Sequence, residues 1–121
     1  MIDKAELGAL FDGLRASATI ADQDFKITFM NDRAIVFYAE DGGAELIGKN
    51  LLACHNTEHQ AVIRDAYARY RAGDLTPTRY RSQKEDSAPE SIVHIPLIVK
   101  GEFRGIAELI WSERADLVFE R

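Results

Sequence analysis

A chain of 121 residues has room for one domain of ordinary size, and with 46% apolar residues it can bury a core, which sets disorder aside for most of its length. Twenty acidic residues against 15 basic ones give a net charge of −5, the wrong balance for a surface that tracks nucleic-acid phosphates. The single cysteine excludes an internal disulfide framework and fits a reducing compartment. No apolar run approaches the ~20 residues needed to span a bilayer, and Met1 to Leu7 lacks the basic start of a secretory signal. The expected location is cytoplasmic, with neither a membrane nor a nucleic acid as partner.

Leu7, Leu10, Phe11 and Leu14 recur at i, i+3, i+4, i+7, one apolar stripe of a helix that Gly8 and Gly13 keep short. Ala18 to Ala21 forms one strand and Asp22-Gln23-Asp24 a turn. Phe25 to Met30 forms the returning strand, with Phe25, Ile27 and Phe29 alternating against polar or small neighbours. Asn31-Asp32 stops that strand and caps a short helical stretch, Arg33 to Tyr38. A Gly-rich loop and one helical turn, Ala44 to Gly48, follow.

The clearest helix begins at Thr57, where Thr57 and Gln60 read as a capping box. Ile63, Ala66, Tyr67 and Tyr70 form its buried stripe, and Gly73 ends it. Thr78 to Ser82, Ile92 to Val99 and Gly105 to Ser112 are strands, separated by a charged loop, Gln83 to Ala88, and by a turn at Gly101. Pro96 cannot donate to a ladder, so an edge or a bulge is expected there. The sum is an α+β domain: a five-stranded antiparallel sheet with helices on one face and an N-terminal flanking helix.

Four local marks in this order resemble the PAS family over about residues 5 to 113. They are the hairpin turn Asp22-Gln23-Asp24-Phe25, the strand exit Met30-Asn31-Asp32-Arg33-Ala34, the Gly-Lys motif in Ile47-Gly48-Lys49-Asn50-Leu51-Leu52, and the final hairpin Gly101-Glu102-Phe103-Arg104-Gly105. The resemblance implies a flanking helix over 1–16, a sensor domain over 17–113, and a linker or the start of a signalling helix over 114–121. It also implies a pocket for a small ligand, a gas or a cofactor, and a signal leaving through the sheet to an effector domain or partner protein. No catalytic role is expected. With no effector segment after Arg121, the chain reads as a sensor excised from something longer or as a stand-alone partner protein. The Leu7-Leu10-Phe11-Leu14 stripe would cover its own sheet or a second subunit, and a homodimer is the expectation.

Cys54, His55 and His59 are the candidate ligands, since thiolate and imidazole bind metals and cofactors. His55 to His59 reads H-x-x-E-H, but a helix starting at Thr57 leaves His55 outside it, so the zinc-protease geometry fails. At 100° per residue His59 lies about 20° from Tyr70 and Ala66, facing inward with the core stripe. In the family's haem-based oxygen sensors the axial histidine would fall near Val62, which is apolar here. Haem b through His59 or His55 is nevertheless the expected cofactor, with no cofactor as the alternative. Cys54 is a redox-dependent ligand or a thiol switch. The family's flavin and coumarate adducts are not expected, because Leu51 stands where the flavin-reactive cysteine belongs and the coumarate-bearing cysteine would come later than Cys54. On the last strand, Gly105, Ala107, Leu109 and Trp111 share an all-apolar face whose small first residues leave room for a flat ligand or form ordinary sheet core; Leu109 and Trp111 are its candidate ligand-facing residues. Arg69, Arg71, Arg79 and Arg81 would meet haem propionates or, more simply, form a solvated face. His94 is structural or partner-facing.

Overall fold

The computed structural model describes residues 3–82 and 88–112. The described elements are α1 (Lys4–Asp12), β1 (Ser17–Asp22), β2 (Ile27–Met30), α2 (Asp32–Phe37), α3 (Thr57–Arg71), β3 (Thr78–Ser82), β4 (Glu90–Val99) and β5 (Glu102–Ser112). Three short 3₁₀ turns, Ala39–Asp41, Gly43–Leu46 and Leu51–Cys54, fill the connection from α2 to α3. The expected linker over 114–121 and most of the charged loop after Ser82 lie outside the described residues. Among the described residues no helix is long and apolar enough to cross a membrane.

The five strands form one antiparallel sheet in the order β2-β1-β5-β4-β3, which puts the last and longest strand in the centre. Ile92, Ile106 and Ile110 on the sheet join Ile63, Ala66, Tyr67 and Tyr70 of α3 in one core, together with Leu51 and Leu52 from the connecting turn. Pro96 does not sit on an edge strand. β3 pairs with β4 only as far as His94, however, so Pro96 has a paired neighbour on one side only, and the β4–β5 register slips just beyond it, between Leu97 and Ile98.

Two local expectations are corrected. Phe25 belongs to the hairpin loop and not to β2: its φ of 67° takes it out of extended geometry, and its ring stacks on Tyr67 with centroids 4.1 Å apart. The cap of α3 is Asn56, whose side-chain oxygen accepts from the His59 amide at 2.8 Å. Asparagine outranks threonine as an N-cap, because its carbonyl reaches the first-turn amides directly. Gln60 is used elsewhere, donating to the carbonyls of Leu52 and His55 at 2.9 Å and pinning the turn before the helix. At the other end Gly73, at φ 96°, closes a Schellman arrangement in which the Asp74 amide donates to the Arg69 carbonyl.

α1 buries none of its residues: Leu7 and Leu10 stay exposed, as does Leu14 just past its end, and Phe11 meets Phe29 edge-on. What anchors this helix is Asn31, fully buried and bonded at every polar position. Its oxygen accepts from the amides of Ala18 and Ala34, and its nitrogen donates to the carbonyls of Phe11 and Ala16. One side chain thus ties α1, β1 and α2 together. Asn31→Ala strands those groups, and urea denaturation is expected to show a loss of about 2–3 kcal/mol. A loss below about 0.5 kcal/mol contradicts this account.

Candidate functional site

The α2–α3 connection, the start of α3, and the ends of β3, β4 and β5 border a cavity of about 520 Å³. Its walls include Tyr38, Cys54, His55, His59 and Tyr80. Behind it, at the centre of the sheet, stands Glu108 with no exposed surface. Strand pairing places His94 directly opposite Glu108.

Three side chains donate to the Glu108 carboxylate. The Tyr38 hydroxyl donates to Oε1 at 2.5 Å. His94 Nε2 lies 3.1 Å from Oε2, and His55 Nε2 lies 3.3 Å from the same oxygen. The protonation of His55 follows from its neighbours. Its Nδ1 is 2.8 Å from the Leu51 carbonyl, which only accepts, so Nδ1 carries a proton. Its Nε2 faces a carboxylate and a tyrosine oxygen, 3.2 Å away, whose own proton is already committed to Glu108. Both nitrogens are therefore protonated, and His55 is an imidazolium paired with a buried carboxylate.

The titration shifts agree with this geometry. Burial alone would lower the His55 pKa, but the hydrogen bonds to Cys54 and Glu108 and the carboxylate's charge outweigh it and lift His55 to about 10. Burial would raise Glu108, and the hydrogen bonds and charges of His55 and His94 instead hold it well below the usual carboxylate range. Tyr38 is pushed up by burial and then by the adjacent Glu108.

The sequence-derived candidates are distributed unevenly around this centre. His55 is at its heart. Cys54 is half-buried, its thiol donating to the Leu51 carbonyl at 3.1 Å and lying 3.5 Å from His55 Nδ1. His59 is half-buried in the first turn of α3 and lines the cavity, its ring 5.2 Å from that of Tyr80; the tightly packed stripe begins one turn later, at Ile63. Val62 is half-buried and does not line the cavity. Leu109 and Trp111 lie on the face opposite to that expected for a ligand. The pleat turns Ile106, Glu108 and Ile110 toward the helices, while Trp111 borders a separate groove with Leu14 and Val36. Arg69 and Arg71 sit at the far end of α3, engaged by Asp65 and Thr78 and by the Gln23 carbonyl respectively. Among the described residues no group of three or more His, Cys, Asp or Glu side chains could hold a metal ion.

Glu108, His94 and Tyr38 were not singled out as a site by sequence reasoning. The available signal was a carboxylate between two isoleucines on one strand and an inward-parity histidine on its neighbour.

No family model matches the chain, and no curated protein is similar to it. Solved structures are. The C-terminal domain of a Streptococcus mutans protein superposes with a TM-score of 0.75 at 16% identity, covering 92% of this chain and 85% of that one. The PAS domain of Bordetella pertussis BvgS gives 0.66 at 14% identity, over 91% of this chain and 85% of that one. The Vibrio cholerae Aer2 receptor, described as a dual PAS-heme oxygen sensor, gives 0.60 at 17% identity, over 85% of this chain and 98% of that one. The chain has the PAS fold.

Proposed function

We propose that this chain is a sensory PAS domain of signal transduction, a binding module and not an enzyme, working in the cytoplasm. It takes a small ligand in the cavity beside His55 and His59 and passes the change to an effector or partner through the sheet. The observation that carries this reading is the Tyr38–Glu108–His55–His94 network. It joins the cavity wall to the central strand β5, so a ligand that displaces Tyr38 or His55 alters the support of a buried charge. The exposed stripe of α1 supports pairing with a second copy.

Haem b does not fit this cavity as the sequence suggested. Both His55 nitrogens are engaged, and the interior behind His59 is filled by Ile63, Ala66, Tyr67 and Tyr70. Haem propionates would also meet the carboxylates Glu40, Asp41, Glu58 and Glu90 at the walls.

Amide chemical-shift mapping against a panel of small metabolites tests the reading. A cavity binder is expected to move the amides of Tyr38, His55 and His59 and, in the same titration, those around His94 and Glu108. In Tyr38→Phe the cavity still responds while the β5 response shrinks. Binders found only elsewhere, or an unchanged β5 response in Tyr38→Phe, overturn it. Added haem is expected to give no sharp Soret band; a band lost in His59→Ala would replace this reading with a haem sensor.

A further inference from the structure

The walls of the cavity form an arc of rings. Phe37 and Tyr38 have centroids 4.8 Å apart, Tyr38 and His55 5.8 Å, His55 and His59 6.4 Å, and His59 and Tyr80 5.2 Å. The described wall residues also include four carboxylates, Glu40, Asp41, Glu58 and Glu90, against one guanidinium, Arg81. The imidazolium of His55 adds no net charge, because Glu108 stands 3.3 Å behind it. The Tyr80 hydroxyl is buried at this wall without a hydrogen-bond partner, although its ring lines the cavity. The His94 ring, 5.4 Å from that of Tyr80, likewise keeps a buried Nδ1 with no partner.

We infer that the ligand is a small organic cation, an alkylated amine or quaternary ammonium held against the aromatic wall of Phe37 and Tyr80. Aromatic faces carry negative quadrupole charge and attract a cation once it is partly desolvated. The surrounding carboxylates supply the longer-range attraction, which an anionic ligand would experience as repulsion. A cavity of about 520 Å³ is of the size that small-molecule sites occupy. This inference rests on the ligand-binding reading of the same cavity and names the chemistry of its occupant.

The test is a set of amide-shift titrations of the full chain with tetramethylammonium, with tert-butanol as a neutral compound of similar shape, and with acetate. Saturable shifts at Tyr38, His59 and Tyr80 with tetramethylammonium, at least about fivefold tighter than with tert-butanol, are expected. Tyr80→Leu should weaken the cation at least about fivefold, while Tyr80→Phe keeps the ring and the binding. The double change Glu40→Gln, Asp41→Asn should weaken it about threefold and flatten its salt dependence. Equal or tighter binding of acetate or tert-butanol overturns the inference and leaves the ligand-binding reading standing. So does cation binding indifferent to Tyr80→Leu in a variant whose spectrum remains folded. No response of the cavity to any probe overturns the inference as well, and the metabolite panel then decides the broader reading.

Discussion

Glu108→Leu is expected to destabilise the domain by about 3–5 kcal/mol in urea denaturation. The substitution removes no exposed charge; it removes the carboxylate paired with His55. His55 has a side chain only 7% exposed, and it would be left as a buried cation, with the Tyr38 hydroxyl and His94 Nε2 deprived of their acceptor. The His55 titration should then move down from about 10, because the carboxylate's hydrogen bond and charge are gone while burial still lowers it; the Cys54 hydrogen bond remains and limits the fall. Glu108→Gln keeps an acceptor for Tyr38 and should cost less while moving His55 in the same direction. A His55 titration that stays near 10 in either variant would falsify the assigned pairing.

The same pair sets the pH dependence of stability. His55 is raised, so its contribution is complete below pH 6.5 and is lost as pH climbs toward about 10. Glu108 is lowered from its ordinary 4.5, so its contribution is present above that pH and is lost in acid. The pair therefore stabilises most between about pH 4.5 and 6.5. At about 1.4 kcal/mol per pH unit, a loss of a few kcal/mol accrues on the alkaline side. Chemical denaturation from about pH 6.5 to 10 should show the decline in the wild type and a much flatter profile in Glu108→Leu.

Gly105→Ala should be as damaging, for a reason that involves no charge. A Cβ at Gly105 would stand 1.9 Å from the Ala21 carbonyl oxygen and 2.7 Å from the Asp22 Cα, both backbone atoms, and the residue's φ of 136° is one that L side chains rarely adopt. Relief requires β1 to move away from β5 at the Asp22–Gly105 pair. Asp22 cannot move alone. Its carboxylate holds the amides of Asp24 and Lys26, and its carbonyl accepts from the Tyr67 hydroxyl at 2.7 Å, so the hairpin and α3 are dragged with it. We expect a loss above about 4 kcal/mol, seen as a chain that fails to give a cooperative thermal transition. Gly101→Ala is the control: its φ of 80° is also unfavourable, but a Cβ there meets open space, and about 1 kcal/mol is expected. Comparable behaviour of the two variants would refute the clash.

α3 was legible because its apolar spacing is regular, and Gly73, Gly101 and Asn31 punctuate the elements where backbone chemistry requires. Phe25 was misread because alternation alone does not reveal a residue at positive φ whose ring stacks on Tyr67. Ligand-facing residues on β5 were sought among Leu109 and Trp111 because that side has no charge. Only the fold shows that Glu108 can lie inward, its cost met by donors from Tyr38 just after α2, from the turn before α3 and from β4. Long-range pairing of this kind leaves no local spacing to read. Gly105 opens the apolar face on which Leu109 and Trp111 were expected to meet a ligand, yet the space its missing side chain leaves is taken by the Ala21 carbonyl.

The half-paired end of β4 bears on self-association. Beyond His94 no described strand flanks it on the β3 side, and Ile95, Leu97, Ile98 and Val99 would offer a foreign chain an apolar template for strand addition. Pro96 interrupts that template with a residue that has no amide proton, and the register slip after Leu97 bends what remains. The residue that seemed out of place in a strand thus breaks the run that strand addition would use.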